Sequence, residues 1–234
     1  MTVDRIPTCV RAYDAELGGG IPQGAIVLLR GGPGTMKSSL AYSLLRHNAL
    51  QGRGGLFICL EQDGDVLLEQ MAGMGLARPD GLTVLDLSRG RPQLEKLLAG
   101  EQGERGKPAV LFLRRLEALR REARFELLAI DSWNALELLL GFTDRRLESF
   151  EFFRGLRASK MTTFLISEPP APGTSDFTEE FLADGVFYLK LEGVGELDYQ
   201  RRIQCAKLRG TGHSQDFFTL VFEHGQFEVA RAIG

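Results

Sequence analysis

Leu28-Leu29-Arg30-Gly31-Gly32-Pro33-Gly34-Thr35-Met36-Lys37-Ser38-Ser39-Leu40 is the stretch from which the rest of the chain is read. An apolar, β-rich run enters a turn of glycines and proline, and the turn ends in Lys-Ser at the head of a segment with helical periodicity. That order is what a phosphate-binding loop requires. Glycines let backbone N–H groups close around phosphate oxygens, a lysine reaches the β- and γ-phosphates, and a Ser hydroxyl ligates Mg²⁺. The positive end of the following helix faces the same oxygens. Gly32, Pro33, Gly34, Thr35, Met36, Lys37, Ser38 and Ser39 therefore form the candidate phosphate cradle, with Ser38 as a candidate metal ligand. One letter departs from G-x-x-x-x-G-K-[ST]: Met36 stands where the pattern has its second glycine. A side chain there must accept whatever φ/ψ the turn imposes, so a strained or reshaped loop is expected, with weaker nucleotide affinity or slower hydrolysis.

Working outward, β-rich segments recur at Ile26–Leu29, Leu56–Leu60, Leu82–Leu87, Phe125–Ile130 and Thr162–Ile166. Between them lie longer stretches with helical periodicity, such as Ser38–Ala49 and Asp65–Met74. Strands alternating with helices predict a parallel sheet, and their near-continuous Ile, Leu, Val and Phe predict helices on both faces. After Asp184 the rhythm changes to four short strands, Val186–Leu191, Arg201–Lys207, Phe217–Phe222 and Phe227–Val229, read as an antiparallel extension of the same sheet. The fold class is α/β: a mostly parallel central sheet flanked by helices, with antiparallel C-terminal strands, in one domain over residues 1–234. Glu168-Pro169-Pro170-Ala171-Pro172-Gly173 reads as a rigid loop. Ala109–Arg124 reads as a helix with Phe112, Leu116 and Leu119 inward; its arginines, interspersed with Glu117 and Glu122, read as a solvated outer face.

A length of 234 residues, 44% of them hydrophobic, suffices for one sizeable core and is short for two. A formal charge of −3 gives no general attraction to nucleic acid or to anionic lipid. Three widely spaced cysteines, Cys9, Cys59 and Cys205, form no C-x-x-C pair and read as reduced, mostly buried thiols. Apolar runs such as Leu136–Leu140 are too short to cross a bilayer, and no leader-like segment opens the sequence. A soluble, cytoplasmic protein is expected.

Two acids end predicted strands. Phe125–Ile130 runs into Asp131, the arrangement that sets a carboxylate beside the Mg²⁺ held by Ser38. Leu56–Leu60 runs into Glu61, followed by Gln62 and Asp63. Ligands of open α/β sheets sit at the carboxyl ends of the strands, so Glu61 and Asp131 should share one crevice, with Glu61 as the general base that polarises water. The plain alternative is that these acids only cap the helices that follow.

With the loop, Glu61 and Asp131 in place, the chain resembles the KaiC branch of the RecA-like ATPases almost end to end. Arg5-Ile6-Pro7-Thr8, Leu17-Gly18-Gly19-Gly20-Ile21-Pro22-Gln23-Gly24 and Phe181-Leu182-Ala183-Asp184-Gly185-Val186 carry part of the likeness. Its most specific part is Ala206-Lys207-Leu208-Arg209-Gly210-Thr211-Gly212-His213-Ser214, which is similar to that family's Lys-x-Arg-Gly segment. The resemblance implies ATP and Mg²⁺ as ligands and a homo-oligomeric ring, a hexamer, with nucleotide at the subunit interfaces. It further implies that Lys207, Arg209 and His213 of one subunit approach the γ-phosphate bound by the next, an arginine-finger role. The implied activity is slow Mg²⁺-dependent ATP hydrolysis in a regulatory module that acts on a protein partner the sequence does not name.

Two departures bear on turnover. Where the family pairs two glutamates, this chain has Glu61-Gln62, which leaves one carboxylate to activate water; Met36 is the other. A nucleotide switch without efficient hydrolysis is the alternative. Autophosphorylation is a second, with Thr174, Ser175 and Thr178 as acceptors, because the positions aligned with that family's phosphorylated Ser and Thr are Glu180 and Phe181. A RecA-like DNA-binding filament is a third. Against it stand the prolines after Glu168 and the acids Asp176, Glu179 and Glu180, which are poor ligands for a phosphate backbone.

Overall fold

The computed structural model describes residues 4–99, 106–169, 178–195 and 198–231. In chain order the elements are β1 (Arg5–Ile6), α1 (Tyr13–Glu16), β2 (Ile21–Pro22), β3 (Ile26–Gly31), α2 (Lys37–Leu50), β4 (Gly54–Cys59), α3 (Gly64–Gly73), β5 (Leu82–Asp86), α4 (Arg91–Leu98), α5 (Pro108–Ala123), β6 (Phe125–Asp131), α6 (Trp133–Leu140), α7 (Arg145–Ser159), β7 (Thr162–Ser167), α8 (Thr178–Leu182), β8 (Gly185–Val194), β9 (Asp198–Leu208), β10 (Phe217–Glu223) and β11 (Gln226–Arg231). The prolines at 170 and 172 and the hydroxyls of Thr174 and Ser175 lie outside the described residues, as does the side chain of Thr178.

Nine strands form one sheet in the order β11-β10-β9-β8-β3-β7-β6-β4-β5. Every β3 residue is buried, as are nearly all those of β4, β6 and β7, because alternate side chains enter two different cores. Val27, Leu29, Phe57, Leu127, Ala129 and Phe164 pack against α2 and α3. Ile26, Leu28, Ile58, Leu128, Ile130 and Leu165 pack beneath α5, α6 and α7. A strand covered on both faces needs apolar residues at every position, hence runs without alternation.

The change of rhythm after Asp184 is real, but its first strand is not antiparallel to everything. β8 lies parallel to β3, with Val27 opposite Gly185 and Gly31 opposite Leu189, and antiparallel to β9. The sheet turns antiparallel one strand later than the sequence implies. Helix α5 spans the stretch expected to be helical, buries Phe112 and Leu116, and pairs Arg120 and Arg121 with Glu117 and Arg115 with Glu122, as a solvated face should. Cys9, Cys59 and Cys205 are free thiols. Burial pushes the Cys59 and Cys205 thiols up to about 12, so neither is a nucleophile.

Candidate functional site

The carboxyl ends of β3, β7, β6 and β4 meet at one edge of the sheet, and the residues of chemical interest gather there. Gly31 is compelled by β8. A Cβ at this position would lie 2.3 Å from the carbonyl oxygen of Leu189 and 2.9 Å from Thr35 Oγ1, closer than atoms tolerate. Inside the turn, Thr35 Oγ1 and Lys37 Nζ donate to the carbonyl of Gly32 at 2.8 and 2.9 Å, and Gly34 takes φ +75°. The loop is thus closed by its own backbone and side chains before the helix starts.

Met36 caps that helix at φ 67°, ψ 28°, in the left-handed region where a non-glycine residue costs about 1–2 kcal/mol. This is why the phosphate-loop pattern has glycine there, and the expected strain is present. The methionine side chain is half-buried and packs on the core under α2, which returns roughly 1–2 kcal/mol. Met36→Ala keeps the strained backbone and loses the packing; Met36→Gly loses both. Denaturant titration should therefore find Met36→Gly more stable than Met36→Ala by about 1 kcal/mol, reversing their usual helix order. The opposite ranking would mean that the loop relaxes out of this conformation.

Asp131 ends β6, with 7% of its surface exposed. Burial pushes its carboxyl up to about 6, against a hydrogen bond from Ser38 and the Lys37 ammonium and with help from the Glu61 charge. Burial lowers Lys37, while Glu168, Asp131 and Glu61, in that order, hold it up. Glu61 Oε1 accepts the Ser132 hydroxyl proton. It does not cap the next helix: Asp63 does, accepting from Asp65 N at 2.9 Å. Ser132, rather than Asp131, caps α6 by accepting from Ala135 N. Both acids are thus free of the capping duty that would have explained them away.

A buried carboxylate bonded to a serine hydroxyl is a pair of hard oxygen donors, and it fits Mg²⁺, which takes one or two carboxylates and completes its shell from phosphates and water. Among the described residues no cluster of three or more His, Cys, Asp or Glu could hold a metal by itself, so an ion here would depend on a bound nucleotide's oxygens. Three residues at this edge escaped the sequence reading. Glu168 follows β7 and donates its N–H to Asn134 Oδ1 at 3.2 Å; Ser132 orients Glu61; and Arg201 of β9 donates from Nε to the carbonyl of Gly34 at 3.1 Å. Glu168 had one available signal, an acid directly after an apolar strand. Arg201 had none, because its approach depends on the β8–β9 hairpin.

Lys207, Arg209 and His213 are not at this edge. Lys207 pairs with Val186 opposite Leu28, and Leu208 with Gly185 opposite Val27, so they sit toward the amino end of β3: Lys207 is about 10 Å along the strand from the loop at 3.3 Å per residue, and Arg209 and His213 lie further still. There Lys207 Nζ donates to the carbonyls of Glu180 at 2.8 Å and Ala183 at 2.7 Å. Arg209 reaches the Phe181 carbonyl at 2.9 Å and Asp184 at 3.2 Å, and His213 Nδ1 lies 3.1 Å from the Thr211 carbonyl. Within one chain these groups cannot touch a phosphate in the loop.

The KaiC ATPase family model matches residues 6–231. The chain belongs to the KaiC ATPase family. A UPF0273 protein of Aeropyrum pernix is 30% identical over 91% of this chain and 88% of its own length. The circadian clock oscillator protein KaiC of Prochlorococcus marinus is 27% identical over 93% of this chain. This KaiC-family chain spans 44% of that clock protein, so its likeness covers less than half of it. The crystal structure of the KaiC-like protein PH0186 of Pyrococcus horikoshii OT3 superposes with a TM-score of 0.79 at 25% identity, covering 98% of this chain and 100% of that one. The α/β fold, with its mostly parallel sheet and antiparallel C-terminal strands, is the one that this KaiC-like neighbour has. Among the described residues no helix is long and apolar enough to cross a membrane.

Proposed function

We propose that this KaiC-family chain binds MgATP in the loop of residues 31–39 and hydrolyses it slowly, as one subunit of a homo-oligomeric ring with a regulatory role. The observation that carries the reading is one edge of the sheet: the parallel neighbours β3, β7, β6 and β4 end there together, which sets the loop with Lys37 folded onto the Gly32 carbonyl beside the buried Asp131 and the Ser132-bonded Glu61. Loop amides and Lys37 hold the β- and γ-phosphates, and Ser38 and Asp131 hold the metal. Mg²⁺ held by Ser38 and Asp131 would supply neutralisation of phosphate charge. Glu61, fixed by the Ser132 hydroxyl, is the base that draws a proton from the attacking water. Gln62 supplies an amide where a second carboxylate would assist, so turnover is slow.

Lys207, Arg209 and His213 act on the neighbour's nucleotide. Their distance from the loop in their own chain supports this, since only assembly with another copy brings both edges together. Such a contact is head-to-tail, the kind that builds a ring where its rotation closes. The same geometry weighs against autophosphorylation at the aligned positions: Glu180 has no hydroxyl and is engaged by Arg30 and Tyr188.

Phosphate release from MgATP tests the reading. Glu61→Gln is expected to lower it by about 10²–10⁴-fold, the usual worth of a general base, with ATP binding retained, whereas Lys37→Ala loses both. Equal, slow release by wild type and Glu61→Gln with ATP still bound would replace the hydrolase by a nucleotide switch.

A further inference from the structure

The phosphate loop accounts for the phosphates of a nucleotide and leaves its nucleoside without a seat. We propose that Tyr199 and Leu191, facing each other's strands on the β8–β9 hairpin, form the platform on which the nucleobase rests. The proposal depends on the nucleotide reading given above.

Direction comes first. The acids that face Lys37 belong to β7, β6 and β4 or follow them directly, and all three strands lie on one side of β3. The γ-phosphate, where water must attack, points that way. The other end of the nucleotide therefore leaves across β3 on the opposite side, where β8 and β9 stand.

Those two strands overshoot the loop, and the face they present changes character as they do. Leu189 and Ile203 are 2% and 1% exposed in the core beneath α2. Two residues further on the same face, Leu191 pairs with Arg201, and two further still Gly193 pairs with Tyr199. Leu191 Cδ1 lies 3.5 Å from the position a Cβ would take on Gly34, and Arg201 holds the Gly34 carbonyl. This level of the hairpin abuts the phosphate loop.

Tyr199 lies one level beyond, about 7 Å further along the strand. Its ring edge is 3.9 Å from where a Gly193 Cβ would be, so the opposite strand offers no side chain to cover it. Tyr199 is 76% exposed and Leu191 45%. An open aromatic ring and an aliphatic side chain, displaced from the phosphate loop by the reach of one ribose, make a stacking surface. Aromatic stacking uses the π-face that every base has, and it tolerates changes of base. Tyr199 should therefore serve ATP and GTP alike.

The experiment compares calorimetric titrations of MgATP, MgGTP and Mg-tripolyphosphate, the last having phosphates and no nucleoside, into wild type, Tyr199→Ala and Tyr199→Phe. Tyr199→Ala is expected to weaken both nucleotides by about tenfold, within the range measured for base–aromatic stacking, and to leave tripolyphosphate affinity unchanged. Tyr199→Phe keeps wild-type affinity for all three. Unchanged nucleotide affinity in Tyr199→Ala would overturn the platform alone, as would an equal loss for tripolyphosphate. Wild type that binds tripolyphosphate but gains nothing from the nucleoside would also overturn it. Wild type that binds none of the three would overturn the nucleotide reading itself.

Discussion

Alanine at Arg209 is expected to lower ATP turnover by about 10³–10⁵-fold, the span known for arginines supplied across an interface, without removing ATP from its own subunit. In the isolated chain Arg209 stands at the amino end of β3, bonded to Asp184 and to the Phe181 carbonyl, and the loop stands at the carboxyl end. A residue so placed serves another subunit's loop or none. Two inactive variants should therefore repair each other. Lys37→Ala subunits lack a working loop but present Arg209; Arg209→Ala subunits keep the loop. Co-expressed, they are expected to build mixed rings in which some interfaces combine an intact loop with an intact arginine, so that phosphate release returns at those interfaces. Mixtures as inactive as their parents, together with a monomeric mass in MgATP, would remove Lys207 and Arg209 from the active site.

Replacing Arg30 by Met should cost about 3–5 kcal/mol of stability, because removing one partner of a buried ion pair leaves charge without compensation. Arg30 is 3% exposed on the strand that leads into the loop. Its guanidinium donates to Ser167 Oγ at 3.2 Å, Glu180 at 2.8 Å and Glu179 at 3.2 Å. Glu179, 1% exposed, also takes Arg145 at 2.7 Å, and Arg145 in turn pairs with Glu137. Burial raises the Glu137 carboxyl, the Arg145 contact opposing it, so the network holds charges in a place that disfavours them. Urea titration checks the figure. A loss below about 1 kcal/mol would contradict it, and adding Glu179→Gln and Glu180→Gln to Arg30→Met should recover part of the loss, since the stranded charges then disappear.

That network also marks where sequence reading stops. Leu28 to Leu40 announces strand, turn and helix through local periodicity and turn chemistry, and the strands to either side follow from their apolar runs. Such signals depend on neighbours a few residues away. Which of the chain's 28 basic and 31 acidic residues pair with one another depends on contacts between distant segments, such as Arg30 with Glu179, and nothing local encodes it. The site divides in the same way. That Lys37, Ser38, Asp131 and Glu61 lie at one edge was legible because each sits at a strand end or helix start, where the fold's geometry fixes its position. The placement of Arg201 and Tyr199 was not, because it depends on the overshoot of a hairpin whose register appears only in three dimensions. Capping was ambiguous for one reason: Asp63 lies two residues from Glu61 and Ser132 directly follows Asp131, and only the hydrogen bonds tell which caps.

Titration of wild type and Lys37→Ala with MgATP, followed by heat, tests most directly whether a triphosphate and its metal occupy the edge where β3, β6 and β4 end. Saturable heat from wild type, abolished in Lys37→Ala and weakened in Asp131→Asn, is the predicted result. Folded wild-type protein that yields no heat, or heat that survives unchanged in Lys37→Ala, would contradict the account.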